Sequence, residues 1–209
     1  MTRDEAVALI KEGLGFKTAM DASIVNWMKS EQTNLENGPT KPWFLLSEEA
    51  TYTTVIGERR IPLPPDFIGE YEEGALYYTP ADEDEIPLVK ESSEQLRKIY
   101  PATNQGVPAA YSLTGNYFNI YPMPDAAYPI QMKYYQRGIV LNSNIENEWL
   151  KWAPNILMGL AGSRVAASIR DWNAKKQFDE MYQGAILLLQ NQNEARKADN
   201  WDLQMGGPH

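Results

Sequence analysis

The spacing of apolar residues changes twice along this chain, and that constrains the fold more than any single motif does. It is helical at the start, becomes alternating near Pro42 and returns to helical spacing near Asn147. A pattern of one kind cannot serve the other element, because side chains on one face recur every ~3.6 residues in a helix and every second residue in a strand. The order therefore predicts an α+β fold: a helical bundle or hairpin frame built from both end segments, with an inserted antiparallel β domain and an extended C-terminal tail. The expected divisions are N-terminal helices over 1–41, the β domain with one short helix over 42–146, a helical hairpin over 147–198 and the tail over 199–209.

Local signals fill in these sections. Thr2 with Glu5 forms a capping-box pattern ahead of Ala6, Val7, Ile10 and Leu14, and Gly13 and Gly15 stop the helix. Thr18 and Asp21 resemble a second cap, followed by Ile24, Val25, Trp27, Met28 and Leu35 and closed by Asn37-Gly38-Pro39. In the middle section Thr51 to Ile56 alternates, Gly57-Glu58 is suited to a turn, and Arg59 to Leu63 is expected to return as the partner strand. Ala75 to Thr79 reads as a strand, Ser92 and Gln95 open a small helix closed by Pro101, Tyr111 to Tyr121 reads as a hairpin, and Ile130 to Tyr135 reads as a last strand.

In the third section Pro154 suits a first helical turn, and Ile156, Leu157, Leu160, Ala161, Val165 and Ile169 make one stripe. Asp171-Trp172-Asn173 is expected to turn the chain into a return helix carrying Phe178, Met181, Tyr182, Ala185, Ile186 and Leu189. Gly159, Gly162, Ala166 and Ala167 are small enough to admit a close neighbouring helix, either within the subunit or from the next one; glycine in a helix costs about 1 kcal/mol relative to alanine.

Chemistry is constrained by missing parts. There is no cysteine, and the single histidine is His209, the last residue, so thiol nucleophiles, His-based triads and Cys/His metal sites have nowhere to form. No phosphate-cradling loop is present, and no cofactor is expected. The paired carboxylates sit in turn-rich, solvated sequence where nothing raises one member's pKa, as glycoside hydrolysis requires. No stretch is long and apolar enough to span a bilayer, and the charged, amphipathic N-terminus does not read as a secretory leader.

The net charge of -9 argues against wrapping nucleic acid, which needs clustered Lys and Arg. Acid is concentrated from Asp66 to Glu85, chiefly at Glu72, Glu73, Asp82, Glu83, Asp84 and Glu85, with no Lys or Arg between. Such a run is either a solvated loop or a surface past which DNA slides without sticking. The tyrosines at 111, 117, 121, 128, 134 and 135 fall on strands or strand ends, where they fill sheet and core or, if exposed, offer a sugar-stacking face. Trp149 and Trp152, three apart on one helix face, read as a plug between the β section and the hairpin, while Trp201 lies in polar sequence and suits an anchor in a partner's pocket.

Several strings taken in order resemble bacteriophage head-to-tail adaptor proteins. They are IPLPPDF (61–67), IPLVKESSEQL (86–96), GVPAAYSLTGNYFNIYPMPDAAYPIQMKYYQRGIVL (106–141) and NEWLKWAPNILMGLAGSRVAASIRD (147–171). The resemblance implies a structural protein of the virion rather than an enzyme. It implies a subunit of a ring, typically dodecameric, which contacts neighbouring adaptor subunits and binds the portal protein. Such a ring extends the DNA channel without binding DNA specifically and offers a platform to tail or nozzle proteins. Carried onto this chain, the hairpin of 154–190 is the ring body, and Trp201, Leu203 and Met205 form the portal-docking element. The alternatives are another ring-forming neck or tail component and a carbohydrate-binding β module.

Overall fold

A computed structural model of the chain describes all residues except 17–19, 72–73, 81–83, 143–144 and 206–209, and describes the backbone alone at 48–49 and 197–205. The fold is α+β. Its helices are α1 (Arg3–Gly13), α2 (Asp21–Glu36), α3 (Ser93–Ile99), α4 (Glu148–Trp152), α5 (Pro154–Ser168) and α6 (Trp172–Met205). The chain divides into two units, one of Met1–Leu45 with Gly138–His209 and one of Leu46–Arg137.

The first unit contains every helix but α3. Its core is supplied by Ile10 of α1 and Leu14 just after it, Ile24 and Met28 of α2, and Ile156, Leu157 and Val165 of α5. The capping box of α1 is complete: Glu5 N–H donates to Thr2 Oγ1 at 3.3 Å, and Thr2 N–H donates to Glu5 Oε2 at 2.8 Å. Helix α2 begins after Met20, which offers no side-chain cap, and the expected cap Thr18 lies outside the described residues. At the other end Lys41 Nζ donates to the carbonyls of Glu36 and Gly38, and burial lowers the Lys41 pKa against the pull of the Glu36 carboxylate.

A buried polar lock ties the returning chain to α2. Glu36 Oε1 accepts from Gln32 Nε2 at 2.8 Å, from Gly138 N–H at 3.1 Å and from Trp149 Nε1 at 3.1 Å. Gln32 also donates to the Ile139 carbonyl at 3.2 Å, and Asn147 donates to that carbonyl and to Gln32 Oε1. Asn147 Oδ1 meanwhile caps α4 by accepting from Trp149 N–H at 2.9 Å. Every donor in this lock has an acceptor, which is the condition for burying it without penalty.

The second unit holds two sheets. The first joins β1 (Leu46–Thr53), β3 (Phe67–Glu70), β4 (Leu76–Tyr78), β5 (Ile86–Pro87) and β9 (Pro129–Gln136), in the order β1-β9-β4-β5 with β3 also on β9. The second runs β2 (Arg60–Pro62), β8 (Tyr117–Tyr121), β7 (Ala110–Thr114), β6 (Val89–Lys90), with only β6 and β7 parallel. One core lies between them, with Ile61, Phe118, Ile120 and Tyr111 from one sheet and Leu76, Ile130, Met132 and Tyr134 from the other. Helix α3, capped by Ser92 accepting from Gln95 N–H at 3.2 Å, covers the far side of β7 and β8 through Leu96 against Ala110 and Tyr121.

The expected hairpin of Thr51–Ile56 with Arg59–Leu63 does not form. The two segments enter different sheets, β1 pairing with β9 and β2 with β8. Strand β2 has three residues, the last of them Pro62, before Pro64-Pro65 breaks the chain, too few to partner β1, whereas β9 offers a long buried face. Thr54 fixes the crossing by accepting from Tyr128 N–H at 2.8 Å and donating to the Ala126 carbonyl at 3.0 Å. The second expected hairpin is present as β7–β8, closed by a two-residue turn at Gly115-Asn116 in which Gly115 has φ 59.

Helix α6 also runs on past the expected boundary at Ala198, to Met205. Residues 199–205 contain neither glycine nor proline, the first being Gly206, so nothing local stops the helix where its apolar pattern fades. The stretch read as an extended tail is thus helical as far as it is described.

Candidate functional site

Gly159 and Gly162 of α5 face α6 of the same chain. A Cβ at Gly159 would lie 2.9 Å from the Phe178 carbonyl oxygen and from Tyr182 N, and one at Gly162 would overlap the Phe178 ring. Gly13, expected only to stop α1, shares this role: a Cβ there would sit 2.8 Å from Phe178 Cζ. The ring of Phe178 therefore occupies space surrendered by two glycines from two helices. Ala166 is fully buried and Ala167 half-buried on the same helix. The corner into α6 is Ile169-Arg170-Asp171, with Arg170 at φ 60 and Asp171 Oδ1 accepting from Ala174 N–H at 3.1 Å, so Trp172 begins the helix rather than sitting mid-turn.

Helix α6 carries two apolar faces. The inner one follows helical spacing through Ala174, Phe178, Tyr182, Ala185, Leu189 and Asn193, and is buried or half-buried. Asn193 extends it by accepting from Trp43 N–H at 3.2 Å and donating to the Lys41 carbonyl at 3.3 Å, and Arg196 stacks 3.6 Å from the Trp43 ring centroid. The outer face holds Met181, Gly184, Leu187 and Leu188, with both leucines 58% exposed. Beside it Trp152 is 51% exposed, and the two flank a groove of ≈ 350 Å³ that also touches Pro154 and Gln192. Trp152 thus differs from Trp149, which is buried with its indole edge-on to Phe44 and hydrogen-bonded to Glu36.

Sequence reasoning missed this outer face, although a signal was present. Residues 181–193 include no charged side chain, in a chain of which 22% is charged. Reading one stripe per helix hides a second, because the two together look like general hydrophobicity.

The acidic section is only partly a free surface. Tyr134 Oη donates to Asp66 Oδ1 at 3.0 Å, Glu70 pairs with Lys90, and Glu85 lies 3.3 Å from Lys133 Nζ. Asp84 and Glu85 are exposed, while Glu72, Glu73, Asp82 and Glu83 lie outside the described residues. Cations distant in sequence thus return to a run that contains none. Of these tyrosines, 111, 121, 134 and 135 are buried on strands, Tyr128, just before β9, is half-buried, and Tyr117 is exposed. Burial pushes the Tyr111 phenol up to about 12, and its oxygen accepts from Ala75 N–H at 2.9 Å. Burial, followed by the hydrogen bond to Asp66, raises Tyr134 as well. Trp201, Leu203 and Met205 lie on the last turns of α6, where the backbone alone is described.

Among the described residues no group of His, Asp or Glu is placed to hold a metal ion, and no helix is long and apolar enough to cross a membrane. No curated protein matches the chain. A family model described as SU10 adaptor protein matches residues 1–203.

Proposed function

This chain belongs to the SU10 adaptor protein family, a family of bacteriophage structural proteins, and from that premise we propose that it is a ring-forming head-to-tail adaptor beneath the portal. The observation that carries the reading is the match itself, which spans both units and nearly all of α6. In this reading copies of the chain close into a ring, typically of twelve, that prolongs the portal's DNA channel and presents a platform for tail or nozzle proteins. The protein acts by holding partners rather than by catalysis.

Physical features support the reading. A conduit must let a polyanion pass without retaining it, and a chain of net charge -9 has no surplus of cations with which to exchange counterions on DNA. A ring also needs apolar surface left over after each subunit folds, and the outer face of α6 is such surface. Trp201, Leu203 and Met205, on the helical end of the chain, are the residues we assign to the portal contact.

Electron microscopy of purified portal mixed with this protein tests the proposal. The expected image is an added ring on the tail-facing end of the portal. A portal that gains no density rejects the adaptor reading, and a ring that forms only on a later neck or tail component assigns the protein there instead. Removal of 199–209 is expected to leave the fold intact and weaken portal attachment; unchanged attachment takes Trp201 out of the contact.

A further inference from the structure

Helix α6 is apolar on two sides, and a helix of that kind has two partners. The described residues of this chain supply one of them, which covers Phe178 and Leu189. The other side presents Met181, Leu187 and Leu188 to solvent, next to the exposed indole of Trp152. We infer that a second copy of this chain covers the outer face of α6, so that Met181, Gly184, Leu187, Leu188 and Trp152 form the seam between neighbouring subunits. The inference rests on the ring reading above and names the surface that closes the ring.

Charge selects a second copy over other occupants. Two chains of net charge -9 repel one another across most pairs of faces, and the repulsion is least where the meeting surface carries no charge. Residues 181–193 are that surface. The single charged residue in the groove, Glu180, lies 3.8 Å from Lys176 of its own helix. Glu180, opposed by Lys176, and Lys151, 5.4 Å from the Trp152 ring centroid, bring one charge of each sign to the rim, too few for a basic partner or a nucleic acid to hold. An exposed aromatic and a methionine at the centre, with Gln at the margin and charge confined to the rim, also match the composition of an interface centre. Gly184 adds room for approach: nothing lies within 4 Å of the position its Cβ would take, in contrast to Gly159 and Gly162 on the inner seam.

The chain has no cysteine, which makes a direct test simple. In a Leu188→Cys variant the introduced thiol is the only one present. It is expected to react with a maleimide at least about tenfold more slowly in the assembled ring than in dilute protomer, since burial at the seam leaves only the dissociated fraction reactive. The double variant Leu187→Glu/Leu188→Glu and the variant Leu188→Lys are both expected to keep the helical circular dichroism of the parent, because the altered side chains are mostly exposed, and both are expected to lose the ring in light scattering. Equal thiol reactivity in ring and protomer, rings of unchanged mass from the double variant, or rings strengthened by Leu188→Lys would each overturn the seam and leave the adaptor reading standing. A parent chain that never assembles, alone or on portal, overturns both.

Discussion

Tyr111 carries its phenol from β7 into the β core and gives the oxygen to a backbone donor, Ala75 N–H. Burial holds its pKa at about 12 in the folded chain, against 10.0 for a free tyrosine. The sign of the linkage follows: the phenol is an acid whose folded pKa is raised, so its contribution is complete below pH 10, where neither state ionises. It is then lost as pH climbs towards 12, because the unfolded chain releases the proton first. The denaturant midpoint of the β unit is expected to fall over that interval. In Tyr111→Phe the alkaline fall should be shallower, while stability at neutral pH drops by about 1–3 kcal/mol because Ala75 N–H loses its acceptor. An equal alkaline fall in parent and variant would assign the effect to Tyr134, whose pKa burial also raises, or to Tyr128, held up first by its hydrogen bond to Asp125.

At the scale of elements, the α5–α6 pair is set by what glycine leaves out. Gly159 faces backbone atoms of α6, which cannot swing aside, whereas Gly162 and Gly13 face the ring of Phe178. Gly159→Ala is therefore expected to destabilise the chain by about 1–3 kcal/mol despite alanine's better helix propensity, read as a lowered urea midpoint at constant slope. Replacing Phe178 with Leu should relieve Gly162→Ala but not Gly159→Ala; relief of both would mean that α6 can shift as a body. The helices and the β7–β8 hairpin were legible in the sequence because their signals are local: the Thr2 and Ser92 caps, Pro154 at a first turn, Gly115 at a tight one. The pairing of β1 with β9 was not, since it joins residues far apart in sequence and competes with a nearer partner that only its shortness disqualifies. The candidate seam on α6 escaped for a different reason. Apolar spacing shows that a face exists, but not which of two faces the rest of the chain covers.

At the scale of the whole molecule, the second unit is entered by β1 and left by β9, and those strands pair, with Leu46 opposite Tyr135. The ends of the insert are thus antiparallel neighbours, about 5 Å apart at Cα. Each unit has its own core, so replacing 46–137 by a short Gly-Ser bridge is expected to leave a cooperatively unfolding helical protein. Circular dichroism at the helical minimum and a single thermal transition check this; a molten, non-cooperative product would show that the helical unit depends on its insert. Seen as heredity, side-by-side ends turn the insert into an exchangeable cassette. Two crossovers, beside Leu46 and Arg137, suffice to trade one β unit for another while the polar lock at Glu36 stays untouched. Genealogies drawn separately from 46–137 and from the flanking helices then need not agree.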